Sequence, residues 1–196
     1  MGDSYTIGTG ATHESRNFPS LLAARVEAAT SRGVELVNPA VNGFTTIDLI
    51  ARELGYISDL KPDLVSVLIG VNDLVQGRSV EEYGESLVEI YDAVAGLRLR
   101  PGRVVAVSIP DGSAVPAASG YGDPIRIRVL TDKFNAKAAD EASQRALTWV
   151  DLTVVSTRSM GTTGWIATDG LHPGDSQYEA WAEVIWSAVR EEWSRP

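Results

Sequence analysis

The chain has 196 residues, of which 44% are hydrophobic and 22% charged, the balance of an ordinary soluble globular domain. Its formal net charge of -9 makes nucleic acid and anionic lipid poor partners, because both present negative phosphates. The chain contains no cysteine, which excludes disulfides, thiolate metal sites and a cysteine nucleophile.

Membrane and export signals are not visible in the sequence. No apolar run approaches the roughly 20 residues that a membrane-spanning helix needs, so stable membrane insertion is not expected. The first residues, MGDSYTIGTG, contain no basic segment followed by an apolar one, which a signal peptide would show. A cytoplasmic protein is the default expectation, and a mature form of an exported protein is the alternative. The sequence indicates no oligomeric state.

Short β-branched runs alternate with longer amphipathic segments along the chain, which predicts parallel strands joined by helices in a single domain over residues 1–196. Strands are predicted at residues 34–37, 64–69, 104–109 and 147–152. Helices are predicted at residues 17–31, 45–59, 79–96, 125–145 and 175–193. Residues 110–124 are rich in Gly, Pro and Ala and are expected to form a long loop that shapes a binding site.

A candidate catalytic pair lies near the C-terminus, in the turn TDGLHPG at residues 168–174. Asp169 precedes His172, one of two histidines in the chain, by three residues. In a tight turn this carboxylate can fold back onto one ring nitrogen, which fixes the tautomer and leaves the other nitrogen free as a base. The hydroxyl on which such a base would act is expected to be Ser4.

The remaining motifs each follow a predicted strand. Gly43 lies after the 34–37 strand, and the sequence GVND at residues 70–73 follows the 64–69 strand directly. The Asp169–His172 turn lies between the last strand and the final helix. Ligands of parallel sheets bind outside the carboxyl ends of the strands, so these motifs are expected to converge on one rim.

Together the motifs offer one residue for each role in acyl transfer. Ser4 is the candidate nucleophile, His172 the base and Asp169 the group that orients it. The backbone N–H groups of Ser4 and Gly43 and the side-chain amide of Asn72 are candidate oxyanion donors. Glycine at position 43 is expected to allow close approach of the main chain.

Two aspartates beside these residues are expected to support them. Asp3 is expected to brace the Ser4 turn by accepting hydrogen bonds from local backbone N–H groups. Asp73 is expected to do the same for the loop that carries Asn72.

These blocks, taken in order, resemble the SGNH (GDSL) hydrolase family over residues 2–174. The resemblance implies a three-layer α/β/α flavodoxin-like fold with a central parallel sheet, and a serine esterase, lipase or acetylesterase that needs no cofactor or metal. The block that carries the nucleophile reads Gly2-Asp3-Ser4-Tyr5, and Tyr5 stands where leucine is usual in this family. The family's roles correspond, by resemblance, to Ser4 (nucleophile), Gly43 and Asn72 (oxyanion hole), and Asp169 and His172 (acid and base).

The first strand of such a fold is not evident. A serine turn at the head of a sheet normally follows a strand, yet only Met1 and Gly2 precede Asp3. Either the first strand is lacking and the sheet is truncated there, or another segment supplies it.

Each residue also has a plainer interpretation. Ser4 alone suits an N-terminal turn, Asn72 and Asp73 suit a helix cap, Gly43 suits an ordinary turn, and His172 suits a hydrogen-bonded loop. The ordered set favours catalysis. The chain has two histidines far apart in sequence and no cysteine, so no metal site is indicated. It contains neither a G-x-G-x-x-G nor a GK[ST] loop, so no phosphate site is indicated either.

The remaining expectations concern the surface, the core and the substrate. His13 is expected on the surface or at the rim, and Trp181, Trp186 and Trp193 in the core. The expected substrate is a small-molecule, carbohydrate or lipid ester, with short acyl esters or acetylated carbohydrates favoured. The alternative is a non-catalytic α/β ligand-binding module, or an inactive form that lacks the first strand.

Overall fold

The structure, a computed structural model, describes residues 1–195 and has a central parallel sheet covered by helices on both faces. Within those residues the strands are β1 (Val65–Val67), β2 (Val104–Val107) and β3 (Thr148–Val150). The helices are α1 (Ser4–Ile7), α2 (Phe18–Thr30), α3 (Thr46–Arg52), α4 (Leu54–Leu60), α5 (Val71–Val75), α6 (Val80–Ala95), α7 (Pro124–Gln144), α8 (Thr153–Thr157) and α9 (Asp175–Trp193).

The sheet has the order β1-β2-β3, and both pairs are parallel. Val65 lies opposite Val104, and Val105 lies opposite Thr148. A parallel bridge between Gly2 and Leu68 brings the start of the chain to the free edge of β1. The predicted strands at 64–69, 104–109 and 147–152 are therefore confirmed, each shorter than the predicted range.

Successive residues of each strand face opposite sides of the sheet, so the sheet packs into two hydrophobic cores. Val67 and Ala106 face a cluster that includes α6 and α7, whereas Val105 and Val107 face a second cluster with α2 and α9. Because both faces of β2 are covered, all four of its residues are buried and apolar, as expected for a parallel strand. The three-layer α/β/α arrangement is confirmed.

Four of the predicted helices match α2, α6, α7 and α9 to within two residues at each end. Local capping explains these ends. The Asn17 side chain accepts a hydrogen bond from the N–H of Ser20 at the start of α2, and Ser79 forms a capping box with Glu82 at the start of α6.

Two predictions of secondary structure are wrong. Residues 34–37 form no strand, because a cavity separates them from β1 and they have no neighbouring strand with which to pair. The predicted helix at 45–59 is divided into α3 and α4 at Glu53. There the Glu53 side chain turns inward, and its Oε2 accepts a hydrogen bond of 2.9 Å from the Gly2 N–H.

The long loop and the tryptophans lie where they were predicted. Residues 110–124 contain two short 3-10 turns, Gly112–Ala114 and Ala118–Gly120, before α7 begins. Trp181 and Trp193 are buried, and Trp186 is half-buried against the same cluster. None of the helices within residues 1–195 is long and apolar enough to span a membrane.

Candidate active site

Ser4 begins α1 directly after the sheet edge. A Cβ on Gly2 would lie 2.1 Å from the carbonyl oxygen of Leu68, so glycine is required for the close approach to β1. Asp3 caps α1, since its Oδ1 accepts a hydrogen bond of 3.0 Å from the N–H of Tyr5. The expected bracing of the turn by Asp3 is therefore present. Ser4 is buried, with 7% of its surface exposed.

The second element of the site is the loop that carries Asp169 and His172. His172 Nδ1 lies 2.7 Å from Asp169 Oδ2. Asp169 Oδ1 accepts two further hydrogen bonds, from the backbone N–H groups of Leu171 and His172. Burial opposes the charge of Asp169, but the hydrogen bonds from the His172 ring and the two N–H groups outweigh it and lower the pKa of Asp169. The carboxylate is thus held ionised beside the imidazole.

Backbone hydrogen bonds join the two ends of this histidine loop. Ile166 and Pro173 form an antiparallel bridge, and the Ala167 N–H donates to the carbonyl of His172 at 2.8 Å. Gly170 turns the chain at the tip with a φ of 73°. Such a turn brings Asp169 back over His172, as the three-residue spacing predicts.

Tyr5 links the serine turn to the histidine loop. Its ring lies 5.8 Å from the His172 ring and 5.8 Å from the Trp181 ring, edge to face in both pairs. Within residues 1–195, no hydrogen bond joins the Ser4 hydroxyl to His172. The structure therefore brings the two elements side by side without joining the two reactive groups.

The Gly43 loop and the first turn of α5, which carries Asn72, meet each other and approach the serine turn. Asn72 Nδ2 donates a 2.9 Å hydrogen bond to the carbonyl of Phe44, next to Gly43. Thr9, just after α1, donates to Asn42 Oδ1 at 2.5 Å. Glycine at position 43 is favoured by its φ of 82°, a backbone conformation that other residues rarely adopt, and an added Cβ would have no heavy atom of the protein within 4 Å.

Two backbone donors in this region have no acceptor within residues 1–195. Across the described part of the chain, neither the Ser4 N–H nor the Gly43 N–H donates a hydrogen bond to another group. The Asn72 side chain uses one of its two amide hydrogens on Phe44, which leaves the second available. Three donors are thus free to receive a ligand oxygen.

Asp73 supports a different element from the one predicted. Its Oδ2 accepts from the Thr46 N–H at 2.9 Å, and its Oδ1 accepts from the Thr46 hydroxyl and from Arg78 Nη1, both at 2.6 Å. Asp73 therefore ties α5 to the start of α3. The alternative interpretation of Asn72 and Asp73 as a helix cap is wrong, because Gly70 occupies the N-cap position of α5.

Two supporting residues were missed from the sequence. The carboxylate of Glu53 holds the Gly2 N–H, and Asn38 Nδ2 donates to the carbonyl of Thr6 in α1 at 2.9 Å. Neither residue lies in a recognisable motif, and each contacts a part of the chain more than thirty residues away, so no local signal marks them. His13 is exposed and caps a short 3-10 turn, which agrees with its predicted surface position.

The loop at residues 110–124 packs against the histidine loop. The Ala117 N–H donates to the carbonyl of Gly170 at 3.0 Å. A cavity of about 10 Å³ lies between this loop and Tyr5, Leu171 and Trp181. Within residues 1–195 no group of three or more His, Asp and Glu side chains is arranged to hold a metal ion.

Comparison with known proteins shows the family to which the chain belongs. The sequence pattern of the GDSL-like Lipase/Acylhydrolase family matches residues 1–180, so the chain belongs to that family and is a serine ester hydrolase. It is similar to Esterase TesA from Pseudomonas aeruginosa, with 25% identity over 97% of this chain and 86% of that protein.

Crystal structures extend the likeness to the fold. A lipase/acylhydrolase from Enterococcus faecalis is 25% identical, with a TM-score of 0.74 over 99% of this chain and 93% of that one. A variant of Axe2, an acetylxylan esterase from Geobacillus stearothermophilus, has 19% identity and a TM-score of 0.73 over 100% of this chain and 94% of that one.

Proposed function

We propose that Ser4, His172 and Asp169 form the catalytic triad of this ester hydrolase. The observation that carries the proposal is the 2.7 Å contact between His172 Nδ1 and Asp169 Oδ2, which directs the other ring nitrogen away from the carboxylate. The contact between the rings of Tyr5 and His172 supports the pairing of the histidine with the serine turn. The Ser4 hydroxyl has to rotate or move into reach of His172 when substrate binds, as catalytic hydrogen bonds often do.

In the first half of the reaction Ser4 Oγ attacks the ester carbonyl carbon, and His172 Nε2 takes the hydroxyl proton. The carbonyl oxygen becomes an oxyanion. The C–O bond to the alcohol then breaks, His172 passes its proton to the leaving oxygen, and the acyl group remains on Ser4. In the second half His172 takes a proton from water, which attacks the acyl carbon. The acid leaves as Ser4 Oγ regains the proton.

The proposed oxyanion donors are the backbone N–H groups of Ser4 and Gly43 and the Asn72 amide. Two observations support these donors: among the described residues neither N–H group has an acceptor, and Asn72 uses only one of its two amide hydrogens. Donors that are already oriented stabilise the charge that develops in the transition state, and each is typically worth about 3 to 4 kcal/mol.

The proposed substrates are short acyl esters or acetylated carbohydrates. The acetylxylan esterase with the same fold is compatible with a small acyl group. Esters of ten or more carbons are therefore expected to be hydrolysed more slowly than acetate or butyrate esters, and a reversed order contradicts this preference.

The test is hydrolysis of p-nitrophenyl acetate and butyrate by the wild type and by Ser4→Ala, with Ser187→Ala as the matched control on the exposed face of α9. Activity is expected to be lost only in Ser4→Ala, and a fluorophosphonate is expected to label the wild type at Ser4. A folded Ser4→Ala protein with full activity excludes Ser4 as the nucleophile. Ester binding without turnover by the wild type supports the non-catalytic module instead.

A further inference from the structure

Tyr5 directly follows the proposed nucleophile, and none of the proposed reaction steps uses its side chain. It is the second residue of α1, and its backbone N–H donates to Asp3 Oδ1 at 3.0 Å. The residue is buried, with 4% of its surface exposed. Within residues 1–195 its hydroxyl makes no hydrogen bond, so its specific contacts are those of the aromatic ring. The ring is therefore the part of Tyr5 that can act on the site.

Four rings lie in series between the core and the histidine loop. The ring of Trp181 in α9 lies 5.5 Å from that of Tyr178 and 5.8 Å from that of Tyr5. The Tyr5 ring in turn lies 5.8 Å from the His172 ring. Neighbouring rings are edge to face, an arrangement that aromatic pairs prefer. Tyr178 and Trp181 are fully buried, and Trp181 Nε1 donates to Ser156 Oγ at 3.1 Å, so the core end of the series is fixed.

The imidazole of His172 is attached at two points that leave one motion open. The ring is joined to the backbone through Cβ, and its Nδ1 lies 2.7 Å from Asp169 Oδ2. Both attachments are on the same side of the imidazole, so the ring can still tilt about the line that joins them. Nε2, the proposed base, lies away from that line and would move with each tilt. Tyr5 lies against this ring from the serine turn and can oppose the tilt.

The size and the position of the Tyr5 side chain both suit this task. An aliphatic side chain such as leucine is shorter than a phenol ring and would leave space beside His172. Because Ser4 and Tyr5 are neighbours in α1, one turn carries both the nucleophilic hydroxyl and the ring that contacts the base. The ring therefore links the orientation of the base to the position of the nucleophile.

We propose that Tyr5 is a positioning residue for the base: its ring, packed against Trp181, keeps Nε2 of His172 directed toward the serine turn. The inference rests on the proposed role of His172. Tyr5 takes no part in bond making or proton transfer and acts through the orientation of the imidazole. Such an effect can be large, since a misplacement of about 1 Å in a catalytic group can lower the rate by about 100-fold.

The kinetic test compares the wild type with Tyr5→Leu and Tyr5→Phe in the hydrolysis of p-nitrophenyl acetate, well below the melting temperature of each protein. Tyr5→Leu is expected to lower kcat by about 10- to 100-fold with little change in KM, because the base is misaligned while ground-state binding is kept. Tyr5→Phe, the conservative variant, is expected to restore kcat because it keeps the ring. Tyr5→Met replaces Tyr5→Leu if that variant does not fold.

Tyr91→Leu is the matched control for the loss of a buried ring. Tyr91 is 2% exposed and belongs to the other hydrophobic core, with α6 and α7. This variant is expected to melt at a lower temperature than the wild type and to keep its kcat.

NMR of the imidazole gives a second readout that does not need activity. The chain has two histidines, so His13→Gln leaves the ring signals of His172 alone in the spectrum. In this background Tyr5→Leu is expected to broaden the His172 ring signals, because the ring then samples more than one tilt. Tyr5→Phe is expected to leave them sharp.

Wild-type kcat in a folded Tyr5→Leu protein overturns the proposal, and so does a loss of kcat with unchanged His172 signals. An equal loss in Tyr5→Phe assigns the effect to the hydroxyl, and an equal loss in Tyr91→Leu assigns it to stability; either result also overturns it. Failure of the proposed function is seen separately, as full activity in His172→Gln, which removes the base itself.

Discussion

His172 Nδ1 lies 2.7 Å from Asp169 Oδ2, and the other oxygen of that carboxylate is held by the backbone N–H groups of Leu171 and His172. The carboxylate cannot turn away from the ring without breaking two backbone hydrogen bonds. The loop thus presents the imidazole in one orientation before any substrate is bound.

The first prediction concerns this contact. Asp169→Asn keeps the size of the side chain but removes its negative charge. It also permits the tautomer of His172 in which the proton is on Nε2, which then cannot act as the base. We expect kcat for p-nitrophenyl acetate to fall by about 10²- to 10⁴-fold, with a smaller change in KM. Asp59→Asn, at an exposed position of α4, is the matched control and should retain wild-type rates. Unchanged kcat in Asp169→Asn removes Asp169 from the mechanism.

The second prediction concerns the oxyanion donor Asn72. Asn72→Ala removes the side-chain amide and is expected to lower kcat by about 10²- to 10³-fold, since one oxyanion donor is lost. It also removes the hydrogen bond to the Phe44 carbonyl, which is expected to lower the free energy of unfolding by about 1 kcal/mol. Kinetics and thermal melting on the same preparation separate the two effects. A loss of stability with normal kcat limits Asn72 to a structural role.

The third prediction concerns the buried carboxyl of Asp3. Burial raises the pKa of Asp3 to about 8, the Glu53 and Asp73 carboxylates add to the rise, and the hydrogen bond from the Tyr5 N–H opposes it. Asp3 Oδ2 and Glu53 Oε1 are buried without a hydrogen-bond partner within the described chain, which agrees with a carboxyl that retains its proton.

The folded protein therefore binds a proton at Asp3 over a pH range in which the unfolded chain, with a pKa of about 4, has released it. The free energy of unfolding is expected to fall as pH rises from about 4 to 8, because the folded state binds more protons there. Asp3→Asn lacks this dependence and can still accept from Tyr5. The wild type should lose several degrees of Tm relative to Asp3→Asn between pH 5 and 8, and parallel melting curves across that range contradict the shift.

The fourth prediction concerns the ion pair between Arg78 and Asp73. Asp73 is fully buried, and Arg78 Nη1 lies 2.6 Å from its Oδ1. Arg78→Met leaves a buried carboxylate without its cation and is expected to lower the free energy of unfolding by about 3 to 5 kcal/mol. The double variant with Asp73→Asn should recover part of that loss. Additive losses in the two single variants would show that the pair is not coupled.

The part of the site that was predictable from the sequence is the part made by neighbours in the chain. Asp169 and His172 are three residues apart in a turn of glycine and proline, so the local backbone alone brings their side chains together. The capping residues Asn17 and Ser79 likewise act within three residues of the helix starts that they mark. Such contacts depend on local geometry and not on the rest of the fold.

Other features depend on contacts between distant residues. Gly2 and Glu53 are 51 residues apart, and Thr46 and Asp73 are 27 apart, so only packing brings each pair together. The apolar run at residues 34–37 has the composition of a strand, but a strand also needs a hydrogen-bonded neighbour, and a cavity lies between this run and the free edge of β1. The sequence by itself identified the residues that we propose for the chemistry; the tertiary structure decided how they are held in place, because buried carboxylates take their partners from across the fold.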